Sequence, residues 1–392
     1  MFKSLKAQGA LGITLAAAGI LMITMGARQS IGLFVGPINT STGLGIATIS
    51  FALAIAQFTW GAVQPLAGAA ADRWGPRAVL IGGVFMLAVG TALTPLMGSG
   101  PGLIFAQGLL VAAGAGAGSF SVLIGAAAQR IPAASRGSAS GVINAGGSLG
   151  QFVFAPVAQK LIQLVGWMGA MYTLAVMALL ALPLIGRVTK GGSTAHAAAE
   201  ATPDGGLRRA VKEAMGDRSY LLLHLGFFTC GFHIAFLVTH LPTEVDLCGL
   251  PPSVASWSLA LIGLANIVGS LVTGHLVGLY RSKMILALMY ASRALLVLWY
   301  LAMPREPWVF YVFAVGLGLT WLATVPPTAG IVGKLFGVRY LGTLFGLTLL
   351  SHQIGGFLGA WLGGLAITEF GNYNLMWWAD IALALLAAAL NL

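Results

Sequence analysis

A few ionisable side chains stand deep inside apolar runs of this 392-residue sequence: Arg28, His224, His233, Arg293, His352 and Asp380. Each costs at least ~2.5–3.5 kcal/mol in hydrocarbon by insertion scales, so each needs a partner or a task. Arg28 carries a permanent planar fork that can hold a carboxylate through two parallel hydrogen bonds. Its structural alternative is to cap carbonyls freed around Gly32 and Pro37. His233 and His352 are the proton-coupling candidates, because with no acid in the expected path only imidazole titrates near neutral pH. A lone histidine between helices also serves as a neutral hydrogen-bond donor, and His224 reads more easily that way, while His240 falls near the outer mouth, as a gate or a solvated side chain. Arg293 and Asp380 are expected to form a structural ion pair, since either alone would be an uncompensated buried charge.

The uncharged polar residues Gln29, Gln57, Asn144, Gln151, Asn266 and Gln353, with Trp321, complete the candidate substrate-binding set of Arg28, His233 and His352. Amides are costly to bury without partners, whereas Ser119, Ser121 and Thr324 can bond their own helix backbone. No metal-ligand spacing is present and no cofactor is implied. Cys230 and Cys248 fall in one span or its outer end, so no disulfide between them is expected.

The elements that must position these groups are set by composition. Hydrophobic residues make up 58% of the chain and charged ones 8%. The mean hydropathy is +0.91. So few charges cannot coat a water-facing surface, which leaves lipid as the main solvent. The 55 glycines suit helices that pack closely in a bilayer. A net charge of +10 does not imply nucleic acid, because the cations form no patch interleaved with aromatics.

The cations fall in alternate gaps between apolar runs: Lys3 and Lys6, Arg73 and Arg77, Arg130 and Arg136, Arg187 to Arg218, Arg281 and Lys283, Lys334 and Arg339. Arg305 is the exception. The positive-inside rule then puts both termini and the long central loop in the cytoplasm, with an even number of spans. The first apolar run is too long for a cleavable signal peptide and is expected to stay as a span.

Runs of around twenty apolar residues are long enough to cross a bilayer. The sequence predicts them at 10–38, 46–71, 78–97, 101–129, 136–164, 167–187, 219–242, 253–279, 283–303, 307–333, 338–367 and 371–391. The expectation is an all-α membrane protein of twelve transmembrane helices in two six-helix, pseudo-symmetric bundles. Residues 1–187 form the first bundle, 188–217 a cytoplasmic linker and 218–392 the second bundle. Within the linker, Leu207–Met215 reads as a short amphipathic helix. The halves look like repeats. Gly26, Arg28 and Pro37 recur with the same spacing as Gly231, His233 and Pro242, and Gly114 to Gly118 has a counterpart in Gly316 and Gly318. Parallel six-helix repeats with a site between them are a transporter architecture.

The stretch Gly68-Ala69-Ala70-Ala71-Asp72-Arg73-Trp74-Gly75-Pro76-Arg77 resembles the loop signature of the major facilitator superfamily, G-x-x-x-D-R-x-G-R-[KR], with Pro76 in place of its first Arg. The resemblance implies that Asp72, Arg73 and Arg77 form a cytoplasmic gate. It also implies that spans 1, 4, 7 and 10 line the central path. More narrowly, Arg28 to Pro37 and Gly263 to Gly269 resemble bacterial relatives of the monocarboxylate and oxalate/formate transporters. The eukaryotic carriers place an Asp and an Arg at what align as Asn266 and Ser270, so the family's anion-binding arginine is missing from its usual place. Drug/proton antiporters are a second comparison, without their early Arg of span 4.

A channel is disfavoured by the absence of a charge ring or filter sequence. An enzyme is not expected, since no HExxH, GxSxG or paired intramembrane aspartates occur. No nucleotide-binding loop is present, so an ion or solute gradient must drive the cycle. The reading is a secondary active transporter in the inner (cytoplasmic) membrane, working as a monomer. Its solute is a small, monocarboxylate-like organic anion held between Arg28 and the facing His233 and His352, with a proton as candidate co-substrate. The alternative is proton-driven efflux of an amphipathic metabolite or drug.

Overall fold

A computed structural model describes residues 10–128, 130–131, 133–189, 206–277, 279–337 and 341–392, and among these the chain is helical without a strand. The helices are α1 Leu11–Gln29, α2 Gly32–Thr42, α3 Ile46–Trp74, α4 Pro76–Leu93, α5 Gly100–Leu103, α6 Ala112–Ala117, α7 Phe120–Ala128, α8 Ala133–Leu179 and α9 Leu182–Thr189. After the linker come α10 Gly206–Gly216, α11 Arg218–Leu247, α12 Pro252–Leu276, α13 Ser282–Ala302, α14 Pro307–Gly318, α15 Val325–Phe336, α16 Leu341–Phe370 and α17 Asn374–Leu390. A π-helical segment, Ile104–Val111, joins α5 to α6.

Among the described residues, nine helical stretches are long and apolar enough to cross a membrane. One of them runs from Ala139 to Thr189 and covers two expected spans. Gly166 divides it with φ 71° and ψ 169°, a left-handed conformation that a Cβ would disfavour. α16 is 30 residues long, with the polar Ser351-His352-Gln353 at its middle, and α17 is apolar but shorter. The amphipathic helix expected in the linker is α10, which carries an exposed Arg209–Glu213 pair one turn apart.

Two helix pairs pack by the same device. Gly146 and Gly150 of α8 face the carbonyls of Ala18 and Met22 on α1. Gly355 and Gly359 of α16 face the carbonyls of Phe228 and Phe232 on α11, and Gly231 lies under the His352 carbonyl. Small residues four apart let backbones touch, which supplies the dispersion contact that lipid cannot outcompete. A Gly231→Val substitution should force α11 and α16 apart and lower the thermal unfolding midpoint in detergent. Overpacking of this kind costs about 1–3 kcal/mol or more. Gly12→Ala, where nothing lies within 4 Å, should leave the midpoint unchanged.

Other contacts join the residues expected in the two halves. α3 lies along α16, with Gly61 against Gln353 and Gly364 against Ser50. α8 lies along α12, with Gly263 against the Ser148 carbonyl. Gly32 at the start of α2 meets the Val238 carbonyl of α11. These surfaces bring the polar residues of both halves together.

Candidate functional site

The expected spans 1, 4 and 10 are each interrupted. α1 stops at Gln29 and α2 begins at Gly32. α6 ends before Gly118, and α7 begins at Phe120, with the Thr24 hydroxyl donating to the Gly118 carbonyl at 3.3 Å. α14 ends at Gly318, and after a 3₁₀ turn α15 restarts at Val325-Pro326-Pro327. The prolines cannot donate to the preceding turn, so they fit a helix start and not its middle. The glycine-rich stretches matched between spans 4 and 10 are thus where both helices break.

Arg293 explains how the break in span 10 survives in a low dielectric. Its guanidinium donates to the carbonyls of Thr320 and Trp321 (2.6 Å to the latter), to the Thr320 hydroxyl at 3.2 Å and to Cys230 Sγ at 3.2 Å. The Leu322 N–H is taken by Asn266 Oδ1 at 3.0 Å. Unwinding therefore leaves few orphan backbone groups.

The expected Arg293–Asp380 pair is not what forms. Asp380 Oδ2 pairs with His233 Nδ1, and both side chains are 1% exposed. The carbonyls released by the broken helix take Arg293 instead, so each charge is satisfied separately. Asp380 Oδ1 and His233 Nε2 have no partner. The Trp321 ring stands edge-on to His233, with centroids 6.2 Å apart.

Trp321 also reaches across to the first half, its Nε1 donating to Gln29 Oε1 at 3.4 Å. Gln29 Nε2 and both polar atoms of Gln151 are buried without partners. Asn266 Nδ2 donates to Ser148 Oγ at 2.6 Å, and Asn144 Nδ2 to Ser270 Oγ at 2.8 Å. Asn266 is therefore spent on holding α12 to α8 and to the start of the 3₁₀ turn, while Asn144 Oδ1 stays free. His352 Nδ1 meets Gln353 Nε2 at 2.6 Å, and His352 Nε2 is free. Gln57 lies beside Gln353, since both flank Gly356.

Arg28 departs from its expected orientation. Its Nη2 donates to Gln57 Oε1, its Cζ sits 4.2 Å from the centre of the Trp60 ring, and it lines a narrow cavity with Leu87, Thr91, Gln107 and Met171. All of these belong to residues 1–187. The guanidinium is turned against its own half by the Gln57 amide and the Trp60 face. Gln29, one residue on and about 100° round the helix, takes the position facing Trp321. Among the described residues no carboxylate lies within ion-pair distance of Arg28.

Two other histidines hold helices together. His224 Nδ1 bonds Ser351 Oγ at 2.6 Å, and His240 bonds the Ala360 carbonyl at 2.7 Å and the Tyr373 hydroxyl at 3.1 Å. The side chains of Asp72 and Arg73 lie outside the described residues, and Arg77 is exposed in the first turn of α4. Among the described residues no cluster suits a metal ion. Sequence reasoning missed Trp60 and Gln64, though Gln57, Trp60 and Gln64 share one helical face and that spacing could have shown it. It also missed Ser148, Ser270 and Thr320.

Three broken spans and a buried acid–imidazole pair thus set polar groups among apolar helices. Residues 17–360 match the Major Facilitator Superfamily. The chain belongs to this family. It is a multi-pass membrane protein, and the family's members are transporters. Over 378 residues it is 25% identical to the uncharacterized MFS-type transporter YcxA of Bacillus subtilis, covering 93% of this chain and 90% of that one. It is 25% identical to monocarboxylate transporter 13 of Rattus norvegicus over 83% of this chain and 74% of the relative. It is 28% identical to a chloramphenicol resistance protein of Streptomyces lividans over 84% and 87%.

Proposed function

We propose that the chain is a proton-coupled secondary transporter that moves a small amphipathic solute by alternating access. The observation that carries this reading is the buried His233–Asp380 pair, with Oδ1 and Nε2 left without partners beside Trp321. With a neutral imidazole donating its Nδ1–H to the carboxylate the pair has a net charge of −1, and one further proton, on Nε2 or Oδ1, makes it neutral. A group that changes charge by one inside a low dielectric can couple proton uptake to closure of the halves, since the two forms differ greatly in desolvation cost.

The solute is held by the layer facing the pair: Gln29, Gln151, Asn144, Trp321, His352 and Gln353. These offer amide donors and acceptors and an aromatic wall, and the guanidinium of Arg293 is spent on the Thr320 and Trp321 carbonyls. That suits a solute with apolar surface and a few hydrogen-bonding groups, the kind of compound named in the chloramphenicol resistance relative. In this reading residues 1–187 and 218–392 are the two six-helix bundles that rock over the site. Asp72, Arg73 and Arg77 close the cytoplasmic side, and the alternating cations place both termini there. The test is uptake and counterflow in proteoliposomes, with chloramphenicol and a monocarboxylate panel and an imposed pH gradient. Solute movement driven by the pH gradient supports the coupling. Movement indifferent to pH sinks it.

A second reading, a small organic anion, is supported by one observation: Arg28 lines a cavity without an acidic partner among the described residues. It also draws on the monocarboxylate transporter relative. The two readings separate at Arg28. If the solute is held in the central layer, Arg28→Gln should change solute affinity by less than about threefold, because the guanidinium is held by Gln57 and the Trp60 ring. If Arg28 grips a carboxylate, losing a charge-assisted bond of roughly 1.5–3 kcal/mol should weaken binding by about tenfold or more.

A further inference from the structure

A second cavity lies far from the polar layer, where the first turn of α11, the start of α13 and the ends of α15 and α17 meet. It is a cleft of ≈ 1180 Å³, counted to its open mouth, with Arg281, Ser282, Lys283 and Lys334 on one part of its wall and Leu223 and Ile331 on another. The transport reading uses none of these residues.

The charged part is built like an anion site. Ser282 is 4% exposed, and its hydroxyl has no partner. It is the first residue of α13, and the preceding Arg281 gives that helix no side-chain cap. The uncapped N–H groups of the first turn and the positive end of the helix dipole therefore face the same space as the serine hydroxyl. Arg281, Lys283 and Lys334 are exposed around it. Lys283 Nζ donates to the Leu392 carbonyl, which leaves the other two cations as the freer pair. Among the described residues no carboxylate side chain forms an ion pair with any of the three.

The apolar part fixes the kind of anion. A free ion needs no wall of Leu223 and Ile331, whereas a phospholipid presents a phosphate and acyl chains together. Basic clefts between membrane helices, at the side the cation pattern assigns to the cytoplasm, suit anionic headgroups. We infer that this cleft binds the phosphate of an anionic phospholipid, with Ser282 and the α13 N-terminus on the phosphate oxygens and Arg281 and Lys334 closing over it.

The test uses the full chain, delipidated and titrated with phosphatidylglycerol or phosphatidylcholine, with bound lipid counted by native mass spectrometry. The wild-type protein should retain phosphatidylglycerol over phosphatidylcholine. The double variant R281Q/K334Q should lose roughly tenfold or more in that retention, at about a kcal/mol for each cation near a headgroup. Ser282→Ala should lose part of it. R208Q/K212Q removes two exposed charges from α10 and should behave as wild type. Both double variants change exposed side chains, and a thermal melt in uncharged detergent checks that they fold. Equal retention by wild type and R281Q/K334Q would overturn the inference. So would stabilisation by inorganic phosphate alone to the same extent as by phosphatidylglycerol, since the ligand would then be a free anion.

Discussion

Asp380→Asn should reduce pH-driven solute accumulation in proteoliposomes to the level of empty vesicles while leaving solute exchange at zero gradient. The amide keeps the shape of the carboxylate but carries no charge, so a proton taken up by His233 would be an uncompensated buried cation and uptake during the cycle is suppressed. The same substitution removes one partner of a buried pair, which costs about 3–5 kcal/mol where the other charge stays uncompensated. His233 can remain neutral, so the loss of stability should fall short of that figure. His233→Gln is the companion variant: it retains a hydrogen bond to Asp380 and should also uncouple transport. If either variant accumulates solute as the wild type does, the pair is only structural.

Arg293→Met should unfold at a lower temperature in detergent and transport slowly at every pH. The side chain of Met fills much of the same space but leaves the Thr320 and Trp321 carbonyls without donors. Each buried orphan costs about 1–3 kcal/mol. Arg293→Lys should keep part of both properties, because an ammonium has three donors but lacks the fork that spans two carbonyls and Thr320 Oγ1. An Arg293 variant that is stable yet slow would locate the defect in the break between α14 and α15. A variant with normal stability and normal transport would mean that the break needs no support.

The class of the fold was legible because bilayer thickness, the cost of exposed backbone polar groups and the placement of cations act on long stretches of sequence. Gly166 and the pair Gly75-Pro76 fall in gaps between the expected spans and end helices for local reasons: φ values of 71° and 88°, and a proline at a helix start. The polar layer was legible in part. Gln29, Trp321 and His233 meet, with Trp321 donating to Gln29 and standing edge-on to His233, because each sits on a helix whose spacing put it inside.

Partner choice was not legible. Asp380 and Arg293 looked like the only mates for each other as long as span 10 was read as an unbroken helix. Once Gly318 and Pro326-Pro327 interrupt it, the freed carbonyls compete for the guanidinium and the histidine is left for the acid. Arg28 failed for a similar reason. Its depth could be read from the run around it, but its direction depends on Gln57 and Trp60, which lie on another helix. A rotation of one residue, to Gln29, decides which side chain faces the second half.

Proton carriage by His233 and Asp380, in step with the solute, is what the proposed cycle turns on. It is tested most directly by recording internal pH with a trapped dye while a solute gradient is imposed on proteoliposomes, across panels of carboxylates and neutral aromatic solutes. The wild type should shift internal pH together with at least one solute, and Asp380→Asn should exchange the same solute with no pH shift. A pH shift in Asp380→Asn equal to that of the wild type would contradict it.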